Sequence, residues 1–238
     1  MSVVSLIDHA VLSPTQTEAD LREACEFCIE LAVASVCVKP SMAALASELL
    51  ADSPVAASTV IGFPHGGTST GTKVRETEIA CNDGIVEVDM VVNLGHVFAQ
   101  NWQAVEQDIR EVVQAAKAGG AITKVIFETG LLPSDDVKRR LCEISEAAGA
   151  AFVKTSTGFG MLKNEDGSMR STGATAHDIK LMRAACSDAV AVKASGGIRS
   201  YEDAVKLVEL GATRLGTSGT KVIAAGESGE KVVSKLDY

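Results

Sequence analysis

At 238 residues the chain is longer than most single domains, yet a closed α/β barrel commonly uses about this length, so size alone does not force a division. With aromatics at 4% and 21 glycines, the core has to be built mainly from Val, Ile, Leu and Ala, as in α/β proteins. A formal charge of −9 disfavours a nucleic-acid backbone or an anionic membrane as partner, and leaves a small anion held locally by backbone N–H groups or single lysines.

The opening "MSVVSLIDHAVL" has no basic leader region and meets Asp8 and His9 inside its first apolar run. No later segment reaches about eighteen unbroken apolar residues, so a cytoplasmic protein without membrane spans is expected. Strand-like runs then follow at "SLIDHAV", "SVCVKP", "AASTVIGF", "IVEVDMVVN", "TKVIFET", "AAFVKTS", "AVAVKAS" and "TRLGTS". Helical patterns such as "TEADLREACEFCIELA", "NWQAVEQDIREVVQAAKAG", "SDDVKRRLCEISEAAG", "TAHDIKLMRAAC" and "SYEDAVKLVELGA" lie between them, several opening on Ser, Thr or Asn and closing on Gly. Strand alternating with helix implies a parallel sheet, and eight such units in this length predict a single-domain (β/α)8 TIM barrel over 1–225. No G-x-G-x-x-G follows the first strand, which weakens an open dinucleotide-binding sheet. The polar stretch 226–238 reads as a loosely attached tail.

The six cysteines, Cys25, Cys28, Cys37, Cys81, Cys142 and Cys186, are scattered through periodic segments and read as buried thiols rather than a disulfide framework. "CEFC" falls within a helical pattern and lacks a second pair or a nearby His that would complete a zinc site. His9, His65, His96 and His177 stand singly, without helical ligand spacing, and are expected to pack or face solvent, His9 being the one of the four most expected to approach the pocket.

Residues two apart share a strand face, and in a small barrel one face fills the interior. Glu87 and Asp89 then share a face, as do Lys124, Ile126 and Glu128, Phe152, Lys154 and Ser156, and Ala191, Lys193 and Ser195. An unpaired charge inside costs on the order of several kcal/mol. These residues therefore either point outward between helices, form a structural ion-pair network, or build a site where barrel active sites lie, at the C-terminal strand ends. Lys154 and Lys193 occupy matching places in "FVKTSTG" and "VKASGGI" on neighbouring strands. Burial and a like charge both depress a lysine's pKa, the condition that makes an amine nucleophilic. Such an amine attacks a carbonyl to give an imine, an electron sink for making or breaking the adjacent carbon–carbon bond, and Asp89 is placed to move the protons.

The repeated pattern K-x-S-x-G, from Lys154 to Gly158 and from Lys193 to Gly197, together with "GTSG" from Gly216 to Gly219, puts glycine and hydroxyl residues at three consecutive strand ends. Many barrels bind phosphate there.

The motifs "LIDHAVLSP", "CVKP", "VIGFPHGG", "EVDMVVNLG", "KVIFETGLL", "FVKTSTGFG", "VKASGGIR" and "GATRLGTS" make nearly the whole chain resemble the deoxyribose-phosphate aldolase family, metal-free Schiff-base aldolases on a TIM barrel. The resemblance implies that Lys154 forms the imine, Lys193 perturbs its pKa and Asp89 assists proton transfer. It implies phosphate contacts at Gly158, Gly196, Gly197, Ser218 and Gly219, and pocket walls at Asp8, Cys37 and Thr157. The implied reaction is reversible cleavage of 2-deoxy-D-ribose 5-phosphate to acetaldehyde and D-glyceraldehyde 3-phosphate in deoxyribose catabolism, without cofactor, by a homo-oligomer, commonly a dimer. Where many relatives read "GFPLGAT" this chain has Gly62 to Thr68 as "GFPHGGT", and Phe159 stands where some place a lysine near the phosphate. Tyr238 is expected to be a solvated terminus or, as the resemblance suggests, a phenol that folds over the barrel mouth. Cys37 is a buried thiol or a target for unsaturated aldehydes. Two rival readings remain: an isomerase or lyase using Lys154 and Asp89 as acid and base without a covalent intermediate, and a sugar-phosphate-binding barrel without turnover.

Overall fold

The computed structural model describes residues 2–164 and 166–230; Tyr238 lies outside the described residues. Eight short parallel strands carry the barrel: β1 (Ile7–Val11), β2 (Ser35–Val38), β3 (Ala56–Ile61), β4 (Glu87–Val91), β5 (Ile122–Ile126), β6 (Phe152–Lys154), β9 (Ala191–Ser195) and β10 (Arg214–Thr217). They close in the order β1-β10-β9-β6-β5-β4-β3-β2, the sequential winding expected of strands joined by helical crossovers. Between β6 and β9 the chain makes an antiparallel hairpin, β7 (Met161–Lys163) and β8 (Met169–Ser171), which no apolar periodicity marks because most of its side chains are exposed.

The alternation of each strand sorts its residues. Val36, Val38, Val88, Met90, Val125, Val153, Val192 and Ala194 are fully buried in the aliphatic core between strands and helices. Their neighbours Glu87, Asp89, Lys124, Lys154 and Lys193 turn the other way, into the barrel. Helices complete the outer layer by the same logic. α5 (Trp102–Ala118) buries Val105, Ile109, Val112, Val113 and Ala116, one stripe at helical spacing. Its Asn101 side chain caps the first turn, as Thr17 does for α1 (Glu18–Glu30), Ser134 for α6 (Asp135–Ala148), Thr175 for α7 (Ala176–Ala185) and Ser200 for α8 (Tyr201–Glu209).

The structure adds α2 (Ala43–Leu50), α3 (Thr70–Asn82), the short α4 (Leu94–Phe98) and α9 (Thr220–Ser228). The buried face of α3 holds Lys73 and Thr77 beside Ala80, so hydropathy does not reveal it. Helix α9 runs through Ala225, and the Glu227 carboxylate on it accepts from the Ser2 hydroxyl at 2.5 Å and the Val3 N–H at 2.6 Å, tying the last helix to the start of the chain.

Candidate active site

Strand register brings the charges together. Lys154 is the direct partner of Lys193 across β6 and β9, Lys193 faces Arg214 on β10, Asp89 faces Lys124 across β4 and β5, and Asp8 faces Gly216 across β1 and β10. Gly216 has to be small: a Cβ there would fall 3.1 Å from Lys193 Cε and 2.8 Å from Ser195 Cβ.

Inside the barrel these residues form one connected ionic network. Lys124 Nζ reaches Asp8 Oδ2 at 2.9 Å, Glu87 Oε2 at 2.5 Å and Asp89 Oδ1 at 3.0 Å. Arg214 Nη1 reaches Asp8 Oδ1 at 2.6 Å and Glu87 Oε2 at 3.0 Å, with its guanidinium 5.1 Å from the Phe152 ring centre. Lys193 Nζ contacts Asp8 and lies 2.7 Å from Asp89 Oδ2, and Lys154 Nζ lies 2.7 Å from the same oxygen. Among the described residues the network holds the cations Lys124, Lys154, Lys193 and Arg214 against the anions Asp8, Glu87 and Asp89, one more base than acid.

The surplus proton is easiest to remove at Lys154. Burial comes first in pulling its pKa below the ordinary lysine value, Asp89 opposes, and the Lys193 charge pushes it further down. Lys193 goes the other way: against the cost of burial, Asp8 and Asp89 hold its ammonium above the usual range. Lys124 is raised well above it for the same reason, and the lysines hold Asp8 and Asp89 ionised despite their burial. The two lysines of the matching motifs thus differ: one is poised to lose its proton beside one that keeps it.

Above the network a cavity of about 620 Å³ opens at the C-terminal strand ends. Lys154, Lys193, Asp8 and Cys37 form its floor and inner wall; Thr157, Gly158, Gly196, Gly197 and Ser218 line the opposite part. Asp89 is fully buried and meets the cavity only through its contacts with Lys154 and Lys193. Burial first and the Asp89 charge second push the Cys37 thiol up, which favours its protonated form where it meets the cavity.

Gly219, His9 and Glu128 stand apart from the network, and for Glu128 this corrects the expectation. Gly219, expected at the phosphate, precedes α9 and donates its N–H to Thr217 Oγ1 at 2.9 Å. His9 points away from the pocket, because the alternation that turns Asp8 and Ala10 inward turns it outward. Its ring packs edge-on against Phe27 at 5.0 Å and its Nδ1 lies 2.8 Å from Thr220 Oγ1. Glu128 does not join Lys124, since β5 ends at Ile126 and the chain turns left-handed at Glu128, φ 55°.

The far end of the cavity suits an anion. Gly158, Gly196 and Gly197 have φ of 85°, 85° and 79°, a region open to glycine at little cost. Among the described residues, the N–H groups of Gly158, Gly196, Gly197 and Ser218 are donated to no other protein group. Arg199, exposed and without an ion pair among those residues, stands on the same wall, a cation that no periodic pattern marked. Phe159 forms an edge-on pair with Phe63 of the "GFPHGG" loop, ring centres 5.3 Å apart, closing the rim with apolar surface. Arg214 was legible in principle: it shares a face of β10 with Gly216, the same parity that identifies Lys193.

Comparison with known proteins agrees with this geometry. The family described as DeoC/LacD family aldolase matches residues 2–223. The deoxyribose-phosphate aldolase of Carboxydothermus hydrogenoformans is 46% identical over 231 residues, 96% of each chain. That of Bacillus mycoides is 47% identical over 228 residues, covering 96% of this chain and 97% of its own. Among solved structures, a putative deoxyribose-phosphate aldolase from Coccidioides immitis superposes with TM-score 0.86 at 40% identity, over 93% of this chain and 84% of that one. The tetrameric deoxyribose phosphate aldolase from Aeropyrum pernix superposes with TM-score 0.83 at 31% identity, over 93% and 89%.

Proposed function

Because the chain belongs to the DeoC/LacD family of aldolases, we propose that it cleaves 2-deoxy-D-ribose 5-phosphate reversibly to acetaldehyde and D-glyceraldehyde 3-phosphate through an imine on Lys154. The observation that carries this reading is the buried Lys154 amine, depressed in pKa, at the floor of a cavity whose other end offers unpaired N–H groups.

The free Lys154 amine attacks the C1 aldehyde of the open-chain sugar and forms a carbinolamine. Loss of water needs a proton delivered to the leaving hydroxyl, and the Lys154–Asp89–Lys193 contacts provide groups that hold and pass it. Lys193 stays protonated and keeps the floor positive, which disfavours a proton on Lys154 before attack. In the protonated imine, the 3-hydroxyl passes its proton to the water released on dehydration as the C2–C3 bond breaks; the electron pair flows into the cationic nitrogen and glyceraldehyde 3-phosphate departs. The remaining enamine takes a proton at C2, and water releases acetaldehyde from Lys154.

Distance organises the other end of the substrate. The phosphate would be held by the N–H groups of Gly158, Gly196, Gly197 and Ser218, with Arg199 supplying the cation that Phe159 does not. The protein is expected to work in the cytoplasm as a homo-oligomer, in line with the tetrameric relative, and a dimer is the assembly proposed here. Among the described residues no helix is long and apolar enough to cross a membrane.

The test is the purified protein with 2-deoxyribose 5-phosphate, acetaldehyde being read by coupling to NADH oxidation through an alcohol dehydrogenase. Aldehyde release supports the reading, whereas sugar phosphate bound without aldehyde would leave a binding barrel.

A further inference from the structure

We propose that Glu128, which lies outside the lysine network, is the positioning residue that shapes the phosphate cradle by holding both of its glycine loops at once. The inference rests on the phosphate reading above and deepens it. Glu128 is 2% exposed, follows β5 in a left-handed conformation (φ 55°, ψ 56°), and has no lysine or arginine partner among the described residues. A strained backbone and a buried, cation-free carboxylate are both costly, so their coincidence calls for a function.

The carboxylate is satisfied by three donors instead. Its Oε2 accepts the Thr157 N–H at 3.1 Å and the Thr157 hydroxyl, and its Oε1 accepts the Thr172 hydroxyl at 2.9 Å. With its hydroxyl proton committed to Glu128, Thr157 Oγ1 turns a lone pair to the Phe159 N–H at 3.0 Å. Of three consecutive N–H groups, the outer two are thereby consumed, and that of Gly158 is left for a ligand.

Thr172 carries the effect to the second loop. The chain leaving Thr172 presses Gly173 onto Gly196, where a Cβ on Gly173 would fall 2.5 Å from the Gly196 carbonyl oxygen, and the Ala174 N–H donates to that oxygen at 3.0 Å. In a trans peptide the C=O and the following N–H point in opposite directions, so fixing the Gly196 carbonyl against Ala174 turns the Gly197 N–H the other way, toward the cavity that Gly197 lines. One carboxylate therefore sets the peptide planes of two loops from strands β6 and β9. A carboxylate accepts on both sides at once: an amide would keep one acceptor oxygen for Thr157 and turn its N–H toward Thr172, whose hydroxyl would then give its proton to the Gly160 carbonyl at 3.2 Å instead.

The experiment compares kcat and KM on 2-deoxyribose 5-phosphate and on unphosphorylated 2-deoxyribose for the wild type, Glu128→Gln and Thr172→Val. The wild type is expected to prefer the phosphorylated sugar. In Glu128→Gln that preference is expected to shrink about tenfold or more, chiefly through KM, as the loss of one charge-assisted hydrogen-bond set implies. Over the same change, kcat/KM on 2-deoxyribose is expected to move by less than about threefold. Thr172→Val, which keeps the Thr157 contacts, should shrink the preference less, and it carries the test if Glu128→Gln does not fold. A preference unchanged in the folded variants, or an equal fall on both sugars, overturns the role given to Glu128. A wild type that shows no preference overturns the phosphate reading and this inference with it.

Discussion

Lys154 Nζ lies 2.7 Å from Asp89 Oδ2, with both side chains shut away from solvent and with Lys193 at the same distance from the same oxygen. One carboxylate oxygen cannot compensate two ammonium groups equally. Lys193 has Asp8 as a second partner, so the proton that leaves comes from Lys154. Burial is the first cause of its depressed pKa and the neighbouring charge adds to it, while Asp8 and Asp89 push Lys193 the other way.

Removing the Lys193 charge should raise the Lys154 pKa twice over, by ending a repulsion and by leaving Asp89 Oδ2 to Lys154. In Lys193→Met, the free amine becomes scarcer at neutral pH, and kcat/KM should fall roughly 10- to 100-fold, the effect of a pKa rise of about one to two. The pH dependence of borohydride trapping checks it: the midpoint should move to higher pH, and a midpoint that stays in place would remove Lys193 from the tuning of Lys154.

Lys124 touches all three acids of the network, so its loss strands buried negative charge. Lys124→Met should destabilise the fold by about 3–5 kcal/mol. In a chain of this size that corresponds to a melting temperature roughly 10 °C lower. Calorimetry or circular-dichroism melting measures it directly; a shift within about 2 °C would mean that Arg214 and Lys193 already satisfy the acids.

His9 gives a pH dependence separate from catalysis. Burial first and the Lys221 charge second lower its pKa from 6.5 to about 4. Above the unfolded value both states are neutral and stability is full. As pH falls from 6.5 toward 4, the unfolded chain takes up a proton that the folded one refuses, and roughly 3 kcal/mol is lost across that window. Urea midpoints at pH 7 and pH 4.5 should therefore converge in His9→Gln relative to wild type, and an equal loss in both proteins would assign acid sensitivity to the carboxylates alone.

Much of the site was legible because a strand's alternation is local. Glu87, Asp89, Lys124, Lys154 and Lys193 follow from parity and from the matching K-x-S-x-G stretches, and the barrel from the repeated strand and helix pattern. The same rule, applied to β1, turns His9 away from the pocket that Asp8 enters. What escapes the sequence depends on partners far along the chain. Helix α3 buries Lys73 because Asp108 on α5 meets it at 2.5 Å and the Val91 carbonyl at 2.9 Å, and no window around Lys73 contains either. Glu128 departs from the strand pattern because its carboxylate finds Thr157 and Thr172.

The central claim is the imine on Lys154, and peptide mass mapping after borohydride reduction in the presence of 2-deoxyribose 5-phosphate tests it most directly. A reduced, substrate-derived secondary amine confined to Lys154, together with loss of cleavage in Lys154→Met, is the predicted result. Turnover with no adduct on the protein, or a Lys154→Met variant that cleaves the sugar at the wild-type rate, would contradict it.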